Sequence, residues 1–237
     1  MIRTVCVAAL TGVLAATAGA DTLNAVANRD NSMFSELTSN SNGAGTGIFV
    51  GANQQSNVRR GLVSFDLSSI PAGSTITGAT LTMFMAQSVG GAIDVQLRRV
   101  SSSWGEGTSV GSGQGAAATP GDATWLHSSF SSTLWSTPGG DFSPTVSAVT
   151  RVGGVGSYNW ADAGMIADIQ AWVNNPSGNF GWLLLGEENV AGAAKRFGSR
   201  ESGATVPMLA IEYTVPSPAG GLVLAGAGLM VARRRRK

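Results

Sequence analysis

Arg60-Gly61-Leu62-Val63-Ser64-Phe65-Asp66-Leu67-Ser68-Ser69-Ile70-Pro71 is the stretch on which the fold turns. Successive side chains of a strand point to opposite faces, so Val63, Phe65 and Leu67 share one face and Leu62, Ser64 and Asp66 the other. Ile70-Pro71-Ala72-Gly73 ends the run, because proline fixes φ and glycine accepts turn angles. Thr75 to Met85 alternates again. The two runs predict a strand pair in a sheet with one face on a core. Working outward, Ile48–Val50, Ala92–Val100, Arg196–Glu201 and Met208–Thr214 predict further strands. Phe180–Leu185 is continuously apolar, which predicts a strand covered on both faces. Met165, Ile166, Ile169, Trp172 and Val173 recur at helical spacing, so one short helix is expected at about 163–175, with Asp162 able to cap it and Pro176 stopping it. Thr22–Glu36 alternates poorly, and Asn40–Gly47 reads as a flexible loop. The Gly43–Gly47 run reads as a plain turn, since a phosphate loop would need a helix after it. Ser101–Ser147 is long for a loop, so it is functional or holds small strands, Ala123–Leu126 among them. Many short strands with Gly and Ser turns make an all-β sandwich with one helix the expected fold class.

Composition agrees. Of 237 residues 33 are glycine and only 12% are charged, which suits a turn-rich β protein. The formal charge of +1 hides an asymmetry. Five of the fifteen bases are the last five residues and one is Arg3, so Asp21–Thr214 holds nine bases against fourteen acids. A mildly acidic body is a poor match for nucleic acid. Cys6 is the only cysteine, so the body has neither disulfides nor thiolate metal sites.

Both ends read as addresses. Arg3, the apolar run Val5–Ala16 and the small residues Ala18 and Ala20 fit a signal peptide over 1–20 with cleavage between Ala20 and Asp21. At the other end Val215-Pro216-Ser217-Pro218 marks a linker before an apolar run to Ala232 and the cluster Arg233–Lys237. A helix over 219–232 would rise about 21 Å, short of the roughly 30 Å hydrocarbon layer. Snorkelling arginines could close that gap. The basic cluster should stay cytoplasmic, leaving the body outside. This tail, residues 215–237, resembles the PEP-CTERM class of bacterial sorting signals, with Val215-Pro216-Ser217-Pro218-Ala219 where the usual Pro-Glu-Pro stands. The resemblance implies transient anchoring in the inner membrane, processing by an exosortase, and delivery to the cell surface or beyond.

The body, residues 21–214, is similar to the DNRLRE domain family, which overlaps a family of carbohydrate-binding modules. Arg60–Pro71 resembles its central strand. Trp104-Gly105-Glu106 and Ala123-Thr124-Trp125 resemble its Trp-Xaa-Glu and Thr-Trp elements, and Ile169–Val173 with Asn179–Trp182 its helix and following strand. Phe197-Gly198-Ser199-Arg200-Glu201 stands at its Ser-Arg-Glu signature. The resemblance implies a jelly-roll-like sandwich, export, and attachment to polysaccharide-active enzymes.

Chemistry-bearing residues are few. His127 is the only histidine and lies in a Ser-rich loop, and no Gly-Xaa-Ser-Xaa-Gly elbow exists. Glu187 and Glu188 are adjacent, so on a strand they face opposite ways rather than forming a glycosidase pair. Glu201 or Asp66 is expected to pair with Arg60 or Arg200. No cofactor is required; calcium is the cation for which Asp30, Asn31, Asn40 and Asn42 offer hard oxygen ligands, although turn roles explain them equally. Trp104, Trp125, Trp135 and Trp160 lie in or near loops, where an exposed ring could stack on a sugar or else plug the end of the sandwich. Arg98, Arg99, Lys195 and Arg196 alternate along strands, as ordinary surface residues do, and could hold an acidic polysaccharide. These observations favour a noncatalytic exported protein that associates with extracellular polysaccharide. A structural matrix component with protein partners is the alternative, and a polysaccharide lyase or hydrolase accessory the third.

Overall fold

A computed structural model describes residues 19–216. The expected signal segment before Gly19 and the anchor at 219–232 fall outside the described residues, as do Ser217 and Pro218. The strands are β1 Ala20–Phe34, β2 Asn40–Ser41, β3 Gly47–Ala52, β4 Val58–Phe65, β5 Thr75–Ser88, β6 Ile93–Arg99, β7 Ala116–Ala117, β8 His127–Ser129 and β9 Thr133–Leu134. After them come β10 Ala148–Val152, β11 Gly156–Trp160, helix α1 Ala163–Asn174, β12 Trp182–Leu185, β13 Lys195–Gly198 and β14 Met208–Thr214.

The fold class is all-β, as the alternating runs predict. One sheet carries the first half of β1, β14, β5, β11, β13 and the start of β3. The other carries the second half of β1, β4, β12, β6, β10 and the end of β3. Strands β1 and β3 cross between the sheets. The crossing in β1 coincides with a register shift at Ala27–Arg29, which is why Thr22–Glu36 alternates poorly. The core between the sheets takes Val63 and Phe65 from β4, Leu81, Met83 and Met85 from β5, Val95 and Leu97 from β6, and Trp160, Trp182, Phe197 and Ile211. Helix α1 closes one end with Met165, Ile169, Trp172 and Val173.

Three expectations are corrected. The sheet does not bear on a core with one face only. Leu62, on the opposite face to Val63, joins Met33, Leu183, Val100, Trp104, Ala123 and Trp135 in a second core. The long Ser101–Ser147 segment therefore packs as a third layer on the outer face of β1, β4 and β12. Ala123–Leu126 is not a strand; the short hairpin is β8–β9. Asp162 does not cap α1 with its side chain, because its Oδ2 accepts the N–H of Val149 at 2.9 Å. The pair β10 and β11, unanticipated, extends the two sheets at their edges.

Candidate functional site

Three strands build a row of side chains on the outside of the sandwich. Ile48, Val50, Phe197 and Met85 point into the core. Their immediate neighbours Phe49 and Arg196 must therefore point out. A register shift at Ala86 turns Gln87 outward as well, although it stands two residues from Met85. Phe49 on β3 lies opposite Arg196 on β13, and Arg196 lies opposite Gln87 on β5. At the usual interstrand spacing the row Phe49–Arg196–Gln87 spans about 10 Å. Phe49 is backed by Phe34, with ring centroids 6.2 Å apart. The guanidinium of Arg196 lies across Gly47 and donates from Nη2 to the Thr46 carbonyl at 2.9 Å and Thr46 Oγ1 at 3.0 Å.

A strap from the third layer, Gly111–Gln114, walls this row. The cleft so formed has a volume of about 530 Å³ and is also lined by Asn53, Arg59, Val89 and Lys195. That size falls within the roughly 300–1,000 Å³ of ligand clefts. Among the described residues no carboxylate lines it.

Two of the residues offered for calcium, Asn40 and Asn42, fasten this strap. Asn42 is fully buried; its Oδ1 accepts the N–H of Gly111 at 2.8 Å and its Nδ2 donates to the Gly47 carbonyl at 2.8 Å. One side chain thus ties the wall of the cleft to its floor. Asn40 Nδ2 donates to the Gln114 carbonyl at 2.9 Å, and β2 pairs with β7 just beyond. Arg59 Nε donates to the Gly113 carbonyl, while Glu36 neutralises the guanidinium. Asn31 Oδ1 already accepts three hydrogen bonds, from the N–H of Ser32 and of Asn42 and from Ser41 Oγ. It has no lone pair left for a cation. Among the described residues no group of three or more His, Cys, Asp or Glu is placed to hold a metal.

Asp30, the fourth of that set, belongs to a different cluster. Its side chain is fully buried, and Oδ2 accepts the N–H of Arg200 at 2.7 Å. Its Oδ1 has no partner among the described residues. Burial pushes its pKa up to about 8, against the Arg200 N–H and with help from the charges of Glu201 and Glu106. Arg200 holds Glu106 with two bonds, at 2.6 and 2.9 Å, and Glu201 at 3.0 Å. The Trp-Gly-Glu and Ser-Arg-Glu elements meet here to fix the third layer. The expected pairing of Glu201 with Arg200 is found. Arg60 instead takes Glu188 at 2.7 Å, and exposed Asp66 accepts from the N–H of Ser68.

The expected sugar platforms are mostly closed. Trp160 is at the centre of the main core, and Trp104 and Trp135 are buried in the second. Apolar area drives these rings inward, and each indole N–H finds a carbonyl there: Val95, Phe180 and Thr124 respectively. Trp125 is half-buried, with the Arg60 guanidinium 4.9 Å over its ring. Arg98 is tied to Gln96 and to the Pro144 carbonyl, away from the cleft. Lys195 does reach the cleft, yet its Nζ is turned into the fold, onto Ser88 Oγ at 2.7 Å and the Gly91 carbonyl at 2.6 Å. Burial, followed by Arg151, lowers its pKa. His127 faces Thr124 and Phe130, not the cleft.

Phe49, Gln87 and the strap were missed by sequence reasoning. Alternation around Ile48 and Val50 does turn Phe49 outward; what the sequence lacks is the register that sets it beside Arg196.

The arrangement can hold a ligand by stacking, charge and hydrogen bonds. An aromatic face, a cation without a carboxylate partner among the described residues, and amides lie side by side, with no acid pair among them. No curated protein matches the chain. Residues 24–126 match the family model of carbohydrate-binding module family 96. That segment contains Phe49, Gln87 and the strap but not Arg196, and the match supports a carbohydrate-binding-module-like domain there.

Proposed function

We propose that the protein binds anionic polysaccharide in the cleft between β3, β13, β5 and the strap, without catalysis. The row Phe49–Arg196–Gln87, in a cleft free of carboxylates, carries this reading. A sugar ring lies on Phe49, its acidic group meets Arg196 by charge-assisted bonds, and Gln87, Asn53 and Gln114 exchange hydrogen bonds with hydroxyls. The match to a carbohydrate-binding module family supports the ligand class. The N-terminal apolar segment and the Pro-containing basic tail support export, transient anchoring at the inner membrane and exosortase processing, which would place the protein at the cell surface or in the extracellular matrix.

Affinity electrophoresis tests it. The purified protein is expected to be retarded in gels containing an anionic polysaccharide, and less so as salt rises. Arg196→Ala should weaken that retardation at least about tenfold, the worth of one charge-assisted hydrogen bond. Phe49→Ala should weaken it several-fold, and neither change should lower the melting temperature by more than a few degrees. Retardation by no polysaccharide would favour a matrix component with protein partners. Turnover of the polysaccharide would show catalysis.

A further inference from the structure

We infer that Gly47 is a positioning residue whose bare Cα sets the cleft's preference for anionic sugars. This rests on the reading of the cleft just given. A Cβ built on Gly47 would lie 2.4 Å from Arg196 Nε and 3.1 Å from both Cγ and Cζ. The guanidinium can lie flat across the sheet, with Nη2 on Thr46, only because position 47 carries no side chain. Gly47 is itself fixed by the bond from buried Asn42 to its carbonyl. Laid flat, Arg196 leaves Nε and Nη1 without a hydrogen-bond partner among the described residues, on the position directly across from Phe49. An acidic group on a ring stacked there would meet those donors.

The contact is with the far end of a flexible side chain, and Gly47 is not at positive φ. An alanine therefore displaces Arg196 rather than disrupting β3. Gly47 is not needed for its own backbone conformation, which separates this role from an ordinary structural one.

Gly47→Ala, Arg196→Ala and the double variant are compared with the unmodified protein by affinity electrophoresis, in gels of one anionic and one neutral polysaccharide. Gly47→Ala is expected to keep or slightly raise the melting temperature. It should weaken retardation by the anionic polymer about tenfold and reduce its salt dependence. Retardation by the neutral polymer should not change. In the Arg196→Ala background, Gly47→Ala should add nothing, because both act through one guanidinium. Equal retardation of Gly47→Ala and the unmodified protein overturns the inference and leaves the cleft reading standing. So does a full extra loss in the double variant. If the unmodified protein is not retarded by the anionic polymer, the cleft reading fails and this one with it. Thr46→Val, which removes only the exposed hydroxyl that accepts from Nη2, is the second variant should Gly47→Ala not fold. It is expected to give a smaller loss confined to the anionic polymer, and no loss there counts against the inference.

Discussion

Asp30→Asn is expected to stabilise the protein at neutral pH, by an amount that grows as pH rises. Asp30 is fully buried with one oxygen unpartnered, and its pKa is pushed up to about 8 from an ordinary value of 3.8. Between those two values the folded chain holds a proton that the unfolded chain has lost. The stability this proton supports is fully present below about pH 4 and is lost progressively as pH rises through 8, at about 1.4 kcal/mol per pH unit. The loss accumulates to an upper value of about 6 kcal/mol. An asparagine does not titrate in this range. Its Oδ1 can accept the Arg200 N–H in place of the carboxyl oxygen, and its amide can face Glu106 and Glu201 with donors rather than a third negative charge. Urea denaturation of the two proteins from pH 5 to pH 8 checks this. The gap should widen steadily in favour of Asp30→Asn, and parallel curves would show that Asp30 ionises in the fold at an ordinary pH.

Trp160→Ala is expected to cost about 3–5 kcal/mol, lost burial and cavity together. The ring is fully buried, packs edge-on against Phe197 at 5.8 Å, and donates to the Val95 carbonyl at 2.8 Å. That cost is a large share of the whole stability of an ordinary domain, about 5–15 kcal/mol. Calorimetry should show the melting temperature falling by roughly 10 °C or more. Trp160→Phe, which keeps a ring and loses only the N–H, should fall in between. A sugar platform would behave in the opposite way: alanine would leave the melting temperature in place and reduce glycan affinity.

The sandwich was legible because period-two alternation survives wherever one face of a strand is buried. Thr75–Met85 and Met208–Thr214 gave it directly, Arg60–Leu67 gave the side that meets the main core although its other side is buried too, and Met165–Val173 gave the helix. The motif pairs were legible as motifs, and Glu201 does lie on Arg200. The cleft was not legible. The sequence could offer Arg196 and Lys195 as cations on a strand, but only one of them presents its charge outward. It could offer tryptophans in glycine-rich segments, yet loop composition cannot reveal that Ser101–Ser147 folds back as a layer and buries Trp104 and Trp135 beneath it. Asn42 looked like a ligand because an amide oxygen in a loop serves a cation and a backbone N–H equally well. Which it serves depends on a strap some 70 residues away.

By itself the sequence determined the all-β class, the faces of the main strands and the place of the helix, all consequences of local periodicity and turn chemistry. Only the tertiary structure decided that Phe49, Arg196 and Gln87 stand in one row and that Gly111–Gln114 walls them. Such neighbours are set by strand register and by layer packing, which act between residues far apart along the chain and leave no mark in local spacing.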